Sequence, residues 1–347
     1  MIKLRSAHLP LAIFSFFLMA RSAEAQSIRS ISTFAHGAAV QSTGPDSITV
    51  GGGFVWVSYA NGADSTGLGG ASTVVQYDLV GNVKQKFSIA GSVDGLKRDP
   101  RTGLIWALQN QDGRSTLTLI DPRTGIVPGS PFQYAVKSTT RGYDDVVFRG
   151  DKVYLSYTNP TGPTDPTIQL LENGSNPLVV SPILRMGATG TDLATGKTNQ
   201  PTTQNDPDSM KLTPDGRLML SSGDDGQLIF VAHPGTPDQS VSFLTLLDAG
   251  GNNVSGLDDA VFATAEQGAF YLADTGNNQV LSIVVDELPE GSLYASVGSL
   301  NVLGKVDLKT GRVVSFATGL NGPHGLVFVP RDGSDDNQQD DREGNDR

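Results

Sequence analysis

Apolar residues along this chain come in short runs rich in Val, Ile, Leu, Phe and Tyr, and Gly, Pro, Asp or Asn clusters separate the runs. Runs of this length between turn residues predict β-strands, and no long stretch after the first 25 residues keeps a helical 3.6-residue period. The runs group into units. Each unit opens with a four-residue motif followed by an apolar strand: Gly44-Pro45-Asp46-Ser47, Ser92-Val93-Asp94-Gly95, Gly142-Tyr143-Asp144-Asp145, Asp206-Pro207-Asp208-Ser209, Gly256-Leu257-Asp258-Asp259 and Gly322-Pro323-His324-Gly325. The third positions are spaced 48, 50, 64, 50 and 66 residues apart. A strand-rich unit repeating at about 50 residues predicts an all-β β-propeller; six motif copies argue for six blades of about four strands each, with five blades or a distorted sixth as alternatives.

Within a unit the motif leads into an inner strand, such as Ile48-Thr49-Val50, Val146-Val147-Phe148, Met210-Lys211-Leu212, Ala260-Val261-Phe262 or Leu326-Val327-Phe328. A second strand starts with a large apolar residue, as in Phe54–Val57, Leu104–Ala107, Val153–Leu155, Leu218–Leu220 and Phe270–Leu272. A third strand follows, for example Thr73–Tyr77, Leu117–Ile120 or Val280–Ile283, and ends in a turn such as Asp121-Pro122-Arg123-Thr124-Gly125. Asp caps such a turn locally and Gly accepts positive φ. The sixth motif is followed by too little chain for a whole blade. Residues 28–36 are expected to supply its outer strand and close the ring, with the segment 289–305 as a source for the rest. The two long intervals imply insertions around Arg185–Gln204 and Asp286–Gly304, expected as rim loops or lids over one face, or as surface decoration.

The chain begins with basic Lys3 and Arg5, an apolar run Leu9–Ala20 and a small-x-small site Ala23-Glu24-Ala25. This predicts a secretory signal peptide over residues 1–25, and hence a secreted or periplasmic protein with no membrane span after cleavage. The propeller domain is then 26–330. Residues 331–347 hold six Asp, one Glu and three Arg and read as a disordered acidic tail. With 38% hydrophobic residues in 347, a packed core is assured. There is no cysteine, which excludes disulfides, thiolate catalysis and Cys-ligated zinc. The net charge of −11 and the lack of a basic stripe exclude nucleic acid as a partner. No Gly-x-Ser-x-Gly elbow, His-Glu-x-x-His helix or phosphate-binding loop occurs.

Equivalent positions in a propeller converge on one axis. Asp46, Asp94, Asp144, Asp208, Asp258 and His324 are therefore expected to face one another at the rim of a central channel, with Asp145 and Asp259 beside them. Carboxylates at close range repel, and a divalent cation relieves this. Oxygen-rich ligation puts Ca²⁺ first, with Mg²⁺ or Mn²⁺ as alternatives. A competing explanation is that each Asp only fixes the entry turn of its blade through backbone N–H groups. The loops after the second strands are expected to overhang the ring and form a small-molecule pocket with Tyr59, Asn110, Tyr157 and Asp274.

Residues Phe270–Val280, with Ala273-Asp274-Thr275-Gly276-Asn277-Asn278 at their centre, resemble the NHL-type repeat signature. Asn321–Leu326, Pro207–Met210 and Asp215-Gly216-Arg217-Leu218 resemble motifs of the senescence-marker-protein, gluconolactonase and luciferin-regenerating family. The resemblance implies a channel metal and lactone hydrolysis, with Asp208 matching the family's metal-binding general base. The family's Asn ligands fall on Asp144 or Asp94, and no Glu starts an inner strand. Streptogramin-lyase-like propellers use a His and Mg²⁺, and for them His324 is the matching catalytic residue. Two functions stand beside each other at this point. One is a metal-dependent lactone or ester hydrolase. The other is a non-catalytic propeller, expected as a monomer, that binds a small ligand, glycan or surface partner, with any ion structural.

Overall fold

The computed structural model describes residues 28–331. The expected signal peptide, and the acidic tail from residue 332 onward, lie outside the described residues. Six antiparallel sheets stand around one axis. Their innermost strands, Pro45–Gly51, Val93–Arg98, Tyr143–Arg149, Pro207–Leu212, Leu257–Phe262 and Pro323–Pro330, pack each against the next and close back on the first. The all-β propeller and its six blades are as the repeat predicts.

Blade 1 is strictly sequential: Pro45–Gly51, Phe54–Tyr59, Ala71–Asp78 and Val83–Ala90. Its second strand is buried on both faces, because each blade is sandwiched between two neighbours. The core accordingly lies in the seams, with one apolar cluster between each pair of adjacent blades. Trp56, fully buried, fills the seam between blades 1 and 2.

Two expectations are corrected. First, Phe270–Leu272 and Val280–Ile283 do not belong to the blade that Asp258 opens. The strands Gly268–Asp274 and Gln279–Val285 pair in blade 6, between the inner strand Pro323–Pro330 and the outer strand Ile28–His36. Blade 5 takes its remaining strands, Leu293–Val297, Val302–Val306 and Val313–Ala317, from farther along the chain. The chain thus leaves blade 5 after one strand, builds the middle of blade 6, and returns. Its two connections run side by side, joined by Ala263 N–H to the Ser292 carbonyl at 2.9 Å and Gly291 N–H to the Ala263 carbonyl at 2.7 Å. Phe270 of blade 6 packs on Tyr294 of blade 5, with ring centroids 4.8 Å apart. Aromatic burial in this seam rewards the exchange. The N-terminal strand closes the ring as expected.

Second, the inserted segments are not lids. Residues 286–304 carry two of the blade 5 strands. Residues 185–204 add Thr189–Asp192, parallel to Ser240–Thr245, and Gln200–Pro201 on the outer edge of blade 4. No helix among the described residues is long and apolar enough to cross a membrane.

Candidate functional site

In all six blades the pairing between inner and second strand slips by one residue at the motif. An extra residue on one strand breaks the up-down alternation and re-aims a side chain. Here it turns the third motif residue toward the axis. Asp46, Asp94, Asp144, Asp208, Asp258 and His324 consequently line one cavity of about 320 Å³. The bulged N–H needs a partner, and in blades 1, 3 and 5 a second-strand serine supplies it. Ser58 Oγ accepts Ser47 N–H at 3.0 Å, Ser156 Oγ accepts Asp145 N–H at 2.8 Å, and Ser296 Oγ accepts Asp259 N–H at 2.9 Å.

The residue after each axial position ties its blade to the next. Ser47 Oγ accepts Leu96 N–H at 3.0 Å, Asp145 Oδ2 accepts Met210 N–H at 2.9 Å, and Asp259 Oδ2 accepts Leu326 N–H at 3.0 Å. Ser209 donates to the Asp258 carbonyl at 2.7 Å. In blades 2 and 6 this position is Gly95 and Gly325. A Cβ there would lie 2.0 Å from the Asp144 carbonyl oxygen and 2.2 Å from that of Asp46. Side chains bridge four of the blade-to-blade steps, and bare backbone closes the other two.

Three residues beyond the axial position sit Lys97 and Lys211. Lys97 Nζ lies 3.1 Å from Asp145 Oδ2, and Lys211 Nζ lies 2.6 Å from Asp259 Oδ1. Burial, the larger effect, carries the Lys97 ammonium below its ordinary value against the pull of Asp145. Burial also opposes the charge on Lys211, but Asp259 and Asp145 outweigh it and hold its pKa up. The Asp259 carboxyl is pushed up by burial, yet Lys211 and Lys97 bring it below the usual range. Two ammonium and two carboxylate groups thus form a buried, paired layer beside the axial Asp positions.

The axial Asp positions are different. Asp94 is pushed up to about 8 by burial and by the neighbouring Asp46 charge. Asp144 and Asp208 rise well above the ordinary carboxyl value, Asp144 through burial and then the Asp94 charge, and Asp208 through burial and then the Asp144 charge. Burial also raises Asp258, although the His324 charge opposes it. Asp206, on the same cavity wall, is raised to about 6 by burial and by Asp224. His324 Nδ1 lies 3.0 Å from Asp46 Oδ1 and 3.2 Å from Asp258 Oδ1. The Asp258 charge lifts the imidazole to about 11 against its desolvation, so the ring is an imidazolium at neutral pH. Ligand atoms of Asp46, Asp258 and His324 lie within 4.8 Å of one another, close enough to hold one metal ion.

The structure therefore brings all five metal-ligand candidates and His324 to one cavity, and it leaves the four pocket candidates elsewhere. Tyr59 is fully buried in the seam of blades 6 and 1, its hydroxyl 2.8 Å from that of Tyr77. Asn110 is a turn residue at φ 63°, and its Oδ1 accepts Ser92 N–H at 3.1 Å. Asp274 is a buried corner that accepts Asn321 N–H at 2.7 Å, Asn277 Nδ2–H at 2.8 Å and Gln279 Nε2–H at 2.9 Å. Tyr157 lines a different cavity, between blades 2 and 3. Strand alternation, unlike the bulge, points Tyr59, Tyr157 and Asp274 away from the axis, and Asn110 sits in the turn after its strand. Sequence reasoning missed Lys97 and Lys211. Their signal is a Lys where the other inner strands carry Thr49, Val147, Val261 and Val327.

A closed ring of six blades around an acidic axial cavity defines a six-bladed β-propeller with a candidate cation site. No protein-family model and no curated protein matches the chain. Solved structures do. A protein assigned as a gluconolactonase superposes with a TM-score of 0.51 at 12% identity, covering 84% of this chain and 82% of its own. Virginiamycin B lyase from Staphylococcus aureus gives 0.50 at 12% identity, over 87% and 93%. The Cps50 (Swd1) β-propeller domain from Myceliophteria thermophila gives 0.50 at 11%, over 87% and 97%. At such identities the likeness is one of fold.

Proposed function

We propose that the protein is an exported, metal-dependent hydrolase of a lactone or ester, with a divalent cation in the axial cavity. One observation carries the reading. Asp94, Asp144 and Asp208 converge there without an ion-pair partner among the described residues, beside the Asp46–Asp258–His324 triad. The donor set fits a hard cation. Asp94 Oδ2 is buried without a hydrogen-bond partner, and carboxylate oxygens suit Ca²⁺ first, then Mg²⁺ or Mn²⁺. Bound there, such an ion supplies Lewis-acid polarisation of a substrate carbonyl. The protein's part is proton handling and positioning. The axial carboxyl groups would hold such an ion only as carboxylates, so their protons would be released as it binds. With an ion held by the other axial carboxylates, Asp208 would accept a proton from an attacking water and pass it on to the leaving oxygen. An imidazolium has no free lone pair, so direct binding of an ion by His324 would require loss of a ring proton, and the carboxylates are the primary ligands.

That same triad favours a second reading. An imidazolium between two carboxylates at 3.0 and 3.2 Å satisfies itself without an ion. In this case the propeller is a non-catalytic binder of a small ligand, glycan or protein partner, and any ion is structural.

Elemental mass spectrometry of residues 26–330 and a lactone and ester screen separate the two. The hydrolase reading expects a stoichiometric ion and turnover that Asp208→Asn abolishes while the melting curve stays cooperative. A tightly held ion without turnover supports the binder. No ion, with no effect of chelator on melting, would sink the cation site altogether.

A further inference from the structure

A second cavity, of about 350 Å³, lies between blades 2 and 3, away from the axial carboxylates. That is ligand-sized. Its chemistry is the reverse of the axial cavity. Eight aspartates line the axis, whereas no acidic residue lines this one. In a chain with 36 acidic and 25 basic residues, such a wall stands out.

Two groups build it. Tyr134, Tyr143 and Tyr157 form a row of tilted rings, with centroids 4.1 and 4.9 Å apart and Tyr143 in the middle. Tyr134 and Tyr143 are buried, so the half-buried Tyr157 is the open end of the row. Arg114, Lys137 and Arg141 supply the charge. Arg141 is already paired, 2.7 Å from Asp165. The Arg114 guanidinium donates to the Thr66 carbonyl at 3.2 Å and feels the Asp64 charge, but neither it nor Lys137 lies within ion-pair distance of a carboxylate among the described residues. Two exposed cations beside a rigid aromatic surface attract an anion and hold a ring.

We propose that this cavity binds a small anionic ring compound, a sugar acid or an aromatic acid. Its carboxylate lies between Arg114 and Lys137, and its ring lies on Tyr157. The site is separate from the axial one and stands whether or not the protein hydrolyses anything.

Calorimetric titration of the protein with galacturonate, galactose and benzoate, all in excess chelator, tests it. At least one of the two acids is expected to bind, with galactose weaker by about tenfold, the worth of one charge-assisted hydrogen bond. Lys137→Gln and Arg114→Gln should each weaken the acid by a similar factor, and added salt should weaken it further. Lys137 is exposed, so its variant should keep the parent melting temperature. Preference for galacturonate names a sugar acid and preference for benzoate an aromatic acid, and either supports the site. The proposal fails if neither acid binds at millimolar concentration. It also fails if binding appears only without chelator, which would place the anion on an axial ion, or if both variants bind as well as the parent.

Discussion

Replacing Lys211 by Met tests the paired layer beside the axial Asp positions. Lys211 Nζ sits 2.6 Å from Asp259 Oδ1, and the two side chains are only 15% and 7% exposed. Asp259 cannot turn to water, because its other oxygen accepts Leu326 N–H at 3.0 Å and so holds blade 5 to blade 6. Lys211→Met leaves that charge with only Lys97 to oppose its burial. Stripping one partner from a buried pair costs about 3–5 kcal/mol, whereas removing both charges is often close to neutral. The double variant Lys211→Met with Asp259→Asn should therefore recover most of the loss, since an Asn oxygen still accepts from Leu326. The pH dependence has a definite sign. In the parent, Asp259 has a folded pKa below its ordinary 3.8, so its contribution is present above that value and is lost as pH falls through the folded pKa. In Lys211→Met the folded pKa rises instead, so the deficit grows as pH climbs above about 4 and shrinks toward it. Urea unfolding followed by the fluorescence of Trp56 and Trp106, both buried in seams, reads this at pH 7 and pH 4.5. An unchanged midpoint for Lys211→Met would refute the reasoning, as would equal losses in single and double variants at both pH values.

The raised axial carboxyl groups make ion-free stability fall with pH. Asp94, at about 8, and Asp144 and Asp208, well above 3.8, stabilise the protonated fold below the unfolded value and lose that contribution as pH rises through the folded pKa values. Melting with and without Ca²⁺ should show a larger ion-induced rise at pH 8 than at pH 5, and equal rises would contradict the cation site. Gly325→Ala places a Cβ 2.2 Å from the Asp46 carbonyl oxygen and 2.9 Å from Ser47 Cα, both backbone atoms that cannot swing aside. It should cost about 1–3 kcal/mol by forcing blades 6 and 1 apart. Gly69→Ala, with nothing within 4 Å of its added Cβ, should be near neutral in the same thermal melt.

The strands, the 50-residue unit, the closing role of residues 28–36 and the convergence of the five Asp motif positions with His324 were all readable from the chain. Each rests on a local pattern repeated at equivalent places, and rotational repetition turns a shared position into a shared axis. Three things only the tertiary structure decided. Phe270–Leu272 has the pattern of any second strand, and nothing local says that it pairs with Leu326–Phe328 rather than Ala260–Phe262. Strand sequences encode which face is apolar, while the choice of partner depends on how whole blades pack, here through Phe270 against Tyr294. The pairing of Lys97 with Asp145 and Lys211 with Asp259 joins residues 48 positions apart, bridged only because neighbouring inner strands stand side by side. Finally, the one-residue slip at each motif sends Asp46 or Asp208 to the axis, while regular alternation sends Tyr59 and Asp274 into seams and corners. Composition placed the chemistry on the chain, and backbone geometry decided which side chains meet.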